Sequence, residues 1–309
     1  MDEKNKMISF VIVTWNSENY IYNCLSSIFK LNYSYKEVIV VDNGSNDKTV
    51  DIIRANFPDT KLIILVQNPG FGFSCNKGAE ISNGNFIFFL NPDTEIVKCD
   101  LELVLDIFLK DNSIAVLGSK LLWDNGKFQD SYKRFFSPFF SVLEVFEFNY
   151  YFKNNWWNKK VNYNFNVFNK LTEVDFVIGA AFVVKKDFFD KVNGFDENFF
   201  MYFEEIDLCK RIKKIGGKIY FNPQIEVIHY KGKSSQQTNV RKLDYYESMV
   251  YYHKKHYGFL GFIVVRFSII FSCILFFIVY LIKFIFRIDN QVPVKFKIKL
   301  KLFIWALGL

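Results

Sequence analysis

Phe86-Ile87-Phe88-Phe89-Leu90-Asn91-Pro92-Asp93-Thr94-Glu95 carries five apolar residues without a polar interruption and then meets a proline. An apolar run of this kind reads as a strand buried on both faces, as in parallel sheets. Pro92 has no backbone N–H to extend a central ladder, so the strand ends there and the Asp93 carboxylate projects from a turn. Asn-Pro-Asp is also ordinary turn chemistry, so this carboxylate alone requires no function.

Upstream the same pattern recurs. Ile8 to Trp15 is a β-branched run, with Asn16 or Ser17 placed to cap a helix over about 18–31. Glu37 to Val41 is a second buried strand ending at Asp42-Asn43-Gly44-Ser45. A helix over about 47–56, a strand from Leu62 to Val66 and a helix near 74–82 follow. Strands alternating with helices predict an α/β fold, Rossmann-like, with a mostly parallel central sheet covered by helices. Ligands of such sheets bind beyond the carboxyl ends of the strands, where Trp15, Asp42 and Asp93 all fall. Downstream, Ile114–Leu117, Phe176–Val184, Lys218–Phe221 and Gln224–Tyr230 read as strands, and Glu204–Ile215 as a helix.

That last helix has a phase. Glu205, Leu208, Cys209 and Ile212 stand at i, i+3, i+4 and i+7, so Glu205 heads the apolar stripe. Asp207, Lys210, Arg211 and Lys214 share the charged face, which gives Asp207 an i,i+4 partner in Arg211. Glu204 suits the positive end of the helix dipole. Glu205 has neither explanation, and a carboxylate on a core-facing stripe is costly unless it serves a pocket. Glu205 is therefore the candidate general base, with Asp207 as the second acidic residue of the catalytic set. His229 leaves a strand and precedes Tyr230-Lys231-Gly232-Lys233-Ser234, flexible donors suited to phosphate. A lone histidine is more often structural. Together with Asp93 it would suit a hard divalent cation and a diphosphate.

The net charge of +7 is unevenly divided. Residues 251–309 hold nine of the 39 Lys/Arg and one of the 32 Asp/Glu, leaving the first 250 residues with 30 and 31. The basic excess thus belongs to an apolar C-terminal segment, which points to an anionic membrane surface and away from nucleic acid. Residues 259–282 are apolar except for Arg266, and the 16 uncharged residues from Phe267 to Ile282 reach about 24 Å as a helix, short of a roughly 30 Å hydrocarbon core. A single span would export the more basic end, against the positive-inside tendency. A helix lying in or re-entering the interface at the cytoplasmic face of the plasma membrane is expected instead. Lys295-Phe296-Lys297-Ile298-Lys299-Leu300-Lys301 alternates with period two and reads as an edge strand or an adaptable lipid-binding segment. Met1 to Lys6 is charged, and the apolar run Ile8 to Trp15 is too short for a signal peptide and lacks a small-residue cleavage site. The five cysteines show no CxxC pair or zinc spacing and read as small hydrophobes in a reducing compartment. Gly70-Phe71-Gly72 is not a dinucleotide fingerprint, and neither a Walker A loop nor a GxSxG elbow is present.

The ordered segments VIVTWNSENYI (11–21), VIVVDNGSNDKT (38–49), NPGFGFSCNKGA (68–79), FIFFLNPDTE (86–95), VIGAAFVVKKDFFDKVNGFDENFFMYFEEIDLCKRI (177–212) and VIHYKGKSS (227–235) together resemble family 2 inverting glycosyltransferases, closest to their bacterial rhamnosyltransferase-like branch. The resemblance covers about residues 7–240 and implies a GT-A fold, a nucleotide-diphospho-sugar donor (dTDP-rhamnose or a UDP-hexose) and a divalent cation, Mg2+ or Mn2+. A catalytic domain over 1–240 and a membrane-associating segment over 241–309 follow.

By position, the resemblance implies that Thr14, Trp15 and Asn16 surround the nucleotide base, that Asp42 meets base or ribose, and that Asn68 and Asn76 line the donor site. Asn91-Pro92-Asp93 matches the metal-binding DxD motif with its first Asp replaced, so Asn91 brings no charge and Asp93 supplies the carboxylate, with His229 as a further metal ligand. Glu204-Glu205 matches the acidic pair whose second member is the base, here one methylene longer than Asp. A sugar would then pass to a hydroxyl of a glycan acceptor, lipid-linked in view of the tail, during surface polysaccharide synthesis. The lost Asp and the lengthened base also suit a non-catalytic nucleotide-sugar binder or assembly scaffold.

Overall fold

The computed structural model describes residues 6–146, 169–230, 241–285 and 294–308. These gather into two units, one built from residues up to 135 together with 169–230, the other from 136 to 146 and the two C-terminal stretches.

The first unit is a sheet wrapped by helices. In chain order it contains β1 (Ile8–Thr14), α1 (Ile21–Phe29), β2 (Lys36–Asp42), α2 (Thr49–Asn56), β3 (Lys61–Ile64), α3 (Phe71–Glu80), β4 (Phe86–Leu90), β5 (Thr94–Lys98), α4 (Leu101–Lys110), β6 (Ile114–Leu122) and β7 (Tyr132–Lys133). The second unit contributes α5 (Pro138–Val145), after which the first resumes with β8 (Thr172–Glu173), β9 (Phe176–Val177), β10 (Ala181–Lys185), α6 (Lys186–Lys191), α7 (Glu204–Lys214) and β11 (Lys218–His229). The main sheet runs β3-β2-β1-β4-β10-β6-β11-β5, with β8 added on β11, while β7 and β9 form a separate ribbon. All seven residues of β1 and all five of β4 are buried, as strands covered on both faces require.

The sheet is parallel through β3, β2, β1 and β4, and then mixed. β10 lies antiparallel between β4 and β6, and β5 and β8 pair antiparallel with β11. The expected strand 176–184 is broken at Ile178-Gly179-Ala180, because β9 pairs with β7 in the ribbon while β10 enters the main sheet. The two strands expected after Gly217 are one, with a register jump between Asn222 and Glu226 around Pro223. A proline lacks the N–H for an even ladder, so the strand bulges and continues. The first helix begins at Ile21 without a side-chain cap. Asn16 and Ser17 are engaged elsewhere: Asn16 sits at φ 51 and accepts from the Asn46 N–H (2.8 Å), and the Ser17 N–H donates to Thr49 Oγ1 (2.8 Å). Four of the five cysteines are buried and all are unpaired.

The second unit is helical. α8 (Arg241–Ile285) breaks its regular geometry at Gly258 (φ 66), and it is the one described helix long and apolar enough to cross a membrane. α9 (Val294–Leu307) is a helix, not the strand or adaptable segment that the alternation suggested. It folds back antiparallel along α8: Phe296 meets Phe277 with ring centres 5.3 Å apart, Lys299 Nζ donates to Ser272 Oγ (3.2 Å), and Arg266 Nε donates to the Ala306 carbonyl (2.8 Å). Packing on α8 overrides the period-two pattern, and as a helix the segment places the exposed Lys297 and Lys301 on one face. Arg266, the charge inside the apolar run, caps the end of α9 and lies over the Phe262 ring at 5.2 Å.

Candidate active site

The carboxyl ends of β1 and β2 meet with Thr14 opposite Asp42. Thr14 is buried, and its Oγ1 has no hydrogen-bond partner among the described residues. Asp42 is fully buried, and its carboxylate accepts from the Ser45 N–H (2.9 Å) and hydroxyl (2.5 Å), which turns the chain at Gly44. Trp15, 37% exposed, stands beside them at the rim. Asn68 and Asn76 sit one layer back. Asn68 Oδ1 accepts from Asn43 Nδ2 (3.1 Å) and the Gly70 N–H (3.0 Å), and the Asn76 amide clamps Phe195 through its N–H (2.8 Å) and carbonyl (2.9 Å). Both side chains tie the 67–80 segment into its surroundings. Asn43, which the sequence did not single out, is the hub, since it also accepts from Ser74 Oγ (2.5 Å).

At the end of β4, the Asn91 N–H donates to the Ala180 carbonyl (2.9 Å), and the Asn91 carbonyl accepts from Thr94 Oγ1 (2.6 Å). The chain then turns so that Asp93 is buried and β5 starts beside the end of β11. There His229 pairs in register with Thr94, and its Nε2 stands 3.6 Å from Asp93 Oδ1. The structure thus brings together two residues 136 positions apart. Two ligands of one Mg2+ or Mn2+, each roughly 2.1 Å from it, lie about 3–4 Å apart when they are neighbours in its shell. An oxygen and an imidazole nitrogen at this spacing fit a shared cation, although no cluster of three or more His, Cys, Asp or Glu side chains suited to a metal occurs among the described residues. Lys231 to Ser234, read as phosphate donors, lie outside the described residues.

The acidic helix α7 packs against β9 and β11. Tyr202 and Phe203 both adopt left-handed geometry (φ 69 and 67), which is unusual for bulky residues and turns the chain sharply into the helix. Gly179 lies against Glu205: a Cβ there would sit 3.4–3.6 Å from the Glu205 Cβ, Cγ and Cδ atoms. Gly179 precedes Ala180, whose carbonyl accepts from the Asn91 N–H, so Glu205 lies against the segment that meets the end of β4. Its Oε2 is buried without a hydrogen-bond partner among the described residues, and the same holds for Glu204 Oε2. Burial pushes the Glu205 carboxyl up to about 7, while backbone hydrogen bonds, including one from Gly179, and the Lys133 charge draw it back. Burial and the adjacent Glu205 charge lift Glu204 well above the usual carboxylate range. Glu204 does stand at the helix start, and it is buried there. Asp207 has the i,i+4 partner expected of it, and it is fully buried: its carboxylate accepts from Arg211 Nε (2.7 Å), and that guanidinium also donates to the Val192 carbonyl (2.5 Å). The start of the helix lies deeper in the protein than an amphipathic stripe implies, while Lys214 near its end is exposed.

The mixed sheet with helices on both faces defines the class: a GT-A fold, as in solved glycosyltransferases. The particular assignment is equally plain, because the chain belongs to glycosyl transferase family 2, whose profile matches residues 9–192. A second profile, described as the N-terminal domain of galactosyltransferase, matches residues 159–233. The chain is 23% identical to the N-acetylglucosaminyl-diphospho-decaprenol L-rhamnosyltransferase of Mycobacterium tuberculosis, over 82% of this chain and 84% of that protein. It is 27% identical to the rhamnosyltransferase WbbL of Escherichia coli, over 72% of this chain and 83% of that one. Among solved structures it resembles a mannosyltransferase from Pyrobaculum calidifontis in complex with GDP-Man and Mn2+, with a TM-score of 0.54, 12% identity and 97% and 86% of the two chains covered.

Proposed function

We propose that this protein is an inverting hexosyltransferase that moves a sugar, rhamnose in the first instance, from a nucleoside diphosphate to a hydroxyl of a lipid-linked glycan. One observation carries the reading: Glu205 packs against Gly179 with its Oε2 buried and without a hydrogen-bond partner among the described residues, and the neighbouring Ala180 carbonyl accepts from the Asn91 N–H at the end of the strand that leads to Asp93. The rhamnose donor, as dTDP-rhamnose, is favoured by the names of two relatives, one of which acts on a diphospho-decaprenol acceptor. A UDP-hexose is the competing donor.

In this reading Thr14, Trp15, Asn16 and Asp42 receive the nucleoside, and Asn68 and Asn76 hold the loops around it. Glu205 takes the proton of the acceptor hydroxyl. The freed oxygen bonds to the anomeric carbon as the bond from that carbon to the diphosphate oxygen breaks, so one displacement inverts the centre. Asp93 and His229 would hold Mg2+ or Mn2+, which when bound offsets charge on the departing nucleoside diphosphate. Asn91 contributes its backbone to the turn, and Asp207 positions α7 through Arg211. The C-terminal hairpin attaches the protein to the cytoplasmic face of the membrane, next to such an acceptor. Its support is the exposed apolar row of α8, including Phe259, Leu260, Phe267 and Phe271.

The test is sugar transfer, or donor hydrolysis without acceptor, measured with Mn2+ for wild type, Glu205→Gln and Asp93→Ala. Loss of a positioned base lowers turnover by about 10²–10⁴-fold. Equal background turnover in all three would leave a binding or scaffold protein as the better account.

A further inference from the structure

We propose that Gln129 is a positioning residue that locks the His229 ring in the tautomer whose Nε2 faces Asp93, ready for a divalent cation. The inference rests on the Asp93–His229 cation reading above and adds to it a residue far from both in sequence. Gln129 is 3% exposed and grips His229 twice: its Nε2 donates to the His229 carbonyl (3.3 Å), and its Oε1 lies 2.6 Å from His229 Nδ1. These two contacts fix each other. A backbone carbonyl only accepts, so the amide nitrogen must face it and the amide oxygen must face the ring. An amide oxygen also only accepts, so Nδ1 carries the hydrogen. In the neutral imidazole, the form that ligates a metal, Nε2 is then the nitrogen with the lone pair, directed to the side where Asp93 Oδ1 stands at 3.6 Å.

Gln129 is itself held firmly. Its N–H donates to the Leu121 carbonyl (2.8 Å), and its own carbonyl accepts from Ser131 Oγ (2.8 Å), which in turn accepts from the Leu121 N–H (2.8 Å). β6 lies parallel to β11 with Leu122 opposite Ile228, so the return of the chain after β6 delivers Gln129 to the His229 ring. An outer residue that sets ring orientation and tautomer is what a histidine ligand needs, and its loss typically weakens metal affinity roughly 10- to 100-fold.

The experiment measures Mn2+ binding to the full chain by calorimetry and electron paramagnetic resonance, together with histidine ¹⁵N shifts, since only three histidines contribute. Gln129→Leu is expected to bind Mn2+ roughly 10- to 100-fold more weakly and to lose the single Nδ1–H pattern of His229. Gln129→Glu, which still accepts from Nδ1–H, is expected to keep both. A folded Gln129→Leu with wild-type Mn2+ affinity overturns the inference, even if its melting temperature falls. Should Gln129→Leu not fold, Gln129→Glu decides: retained affinity with the Nδ1–H signal supports the assignment, and lost affinity overturns it. Asp93→Asn and His229→Ala separate the two levels. If they too bind Mn2+ as wild type does, the cation site itself is wrong; if they lose it while Gln129→Leu does not, only the role of Gln129 falls.

Discussion

Glu205 combines two properties that pull against each other. Burial favours its protonated form and pushes the carboxyl up to about 7, yet the base of the proposed reaction must be ionised. A carboxyl that holds its proton more tightly folded than unfolded adds stability fully present below its unfolded pKa, near 4.3, and lost as pH rises through about 7. Turnover should therefore climb with pH through about 7 while stability declines over the same interval. Glu205→Gln removes the charge, so it is expected to be about 1–3 kcal/mol more stable than wild type at pH 8 and nearly equal to it at pH 4. Paired urea titrations at the two pH values measure this; an equal difference at both would refute the assigned strain. Helical phase disclosed Glu205 in the sequence because the residue breaks an apolar stripe. It hid the burial of Glu204 and Asp207, because the left-handed pair Tyr202-Phe203 and the turn of Arg211 toward Val192 are long-range matters of packing.

At the scale of elements, strand ends were legible and their connections were not. Asp42, Asp93 and His229 each follow an apolar run and do emerge at strand ends. The antiparallel insertion of β10, the fold-back that carries Gln129 and the helix at α9 depend on partners far away in the chain, which periodicity does not encode. The loop before α3 shows how such connections bear on the site. Gly70 has φ 105, and a Cβ there would come within 2.7 Å of the Phe200 carbonyl, which accepts from the Phe71 N–H (3.0 Å). That contact joins the segment holding Asn68 to the one leading into Glu204 and Glu205. Gly70→Ala is expected to destabilise the protein by about 1–3 kcal/mol and to raise the KM for donor more than it lowers kcat. A urea midpoint that falls with unchanged slope, beside donor kinetics, checks both parts. Wild-type stability in this variant would mean that the loop moves freely.

For the whole molecule, the decisive division is between a near-neutral catalytic unit and a basic, apolar hairpin. From Phe259 to Ile285, α8 would reach about 40 Å, enough to cross a bilayer. α9 argues for a different placement. It runs back along α8 until the Ala306 carbonyl meets Arg266, eight residues past the break at Gly258. Lys297 and Lys301 are exposed on α9, and each would cost roughly 2.5–3.5 kcal/mol at the centre of a membrane. At an anionic surface the same lysines contribute about 1 kcal/mol each. A hairpin lying in the interface satisfies both terms, with apolar side chains of α8 in the acyl region and lysines among the headgroups. Binding to vesicles containing anionic lipid should then weaken about fivefold for each of Lys297→Gln and Lys301→Gln, and the difference should shrink in high salt. An epitope added after residue 309 should stay protected from protease added outside intact cells and become accessible once they are opened. Digestion of that epitope in intact cells would establish a single crossing and defeat the interfacial placement, while leaving the chemistry proposed for Glu205 untouched.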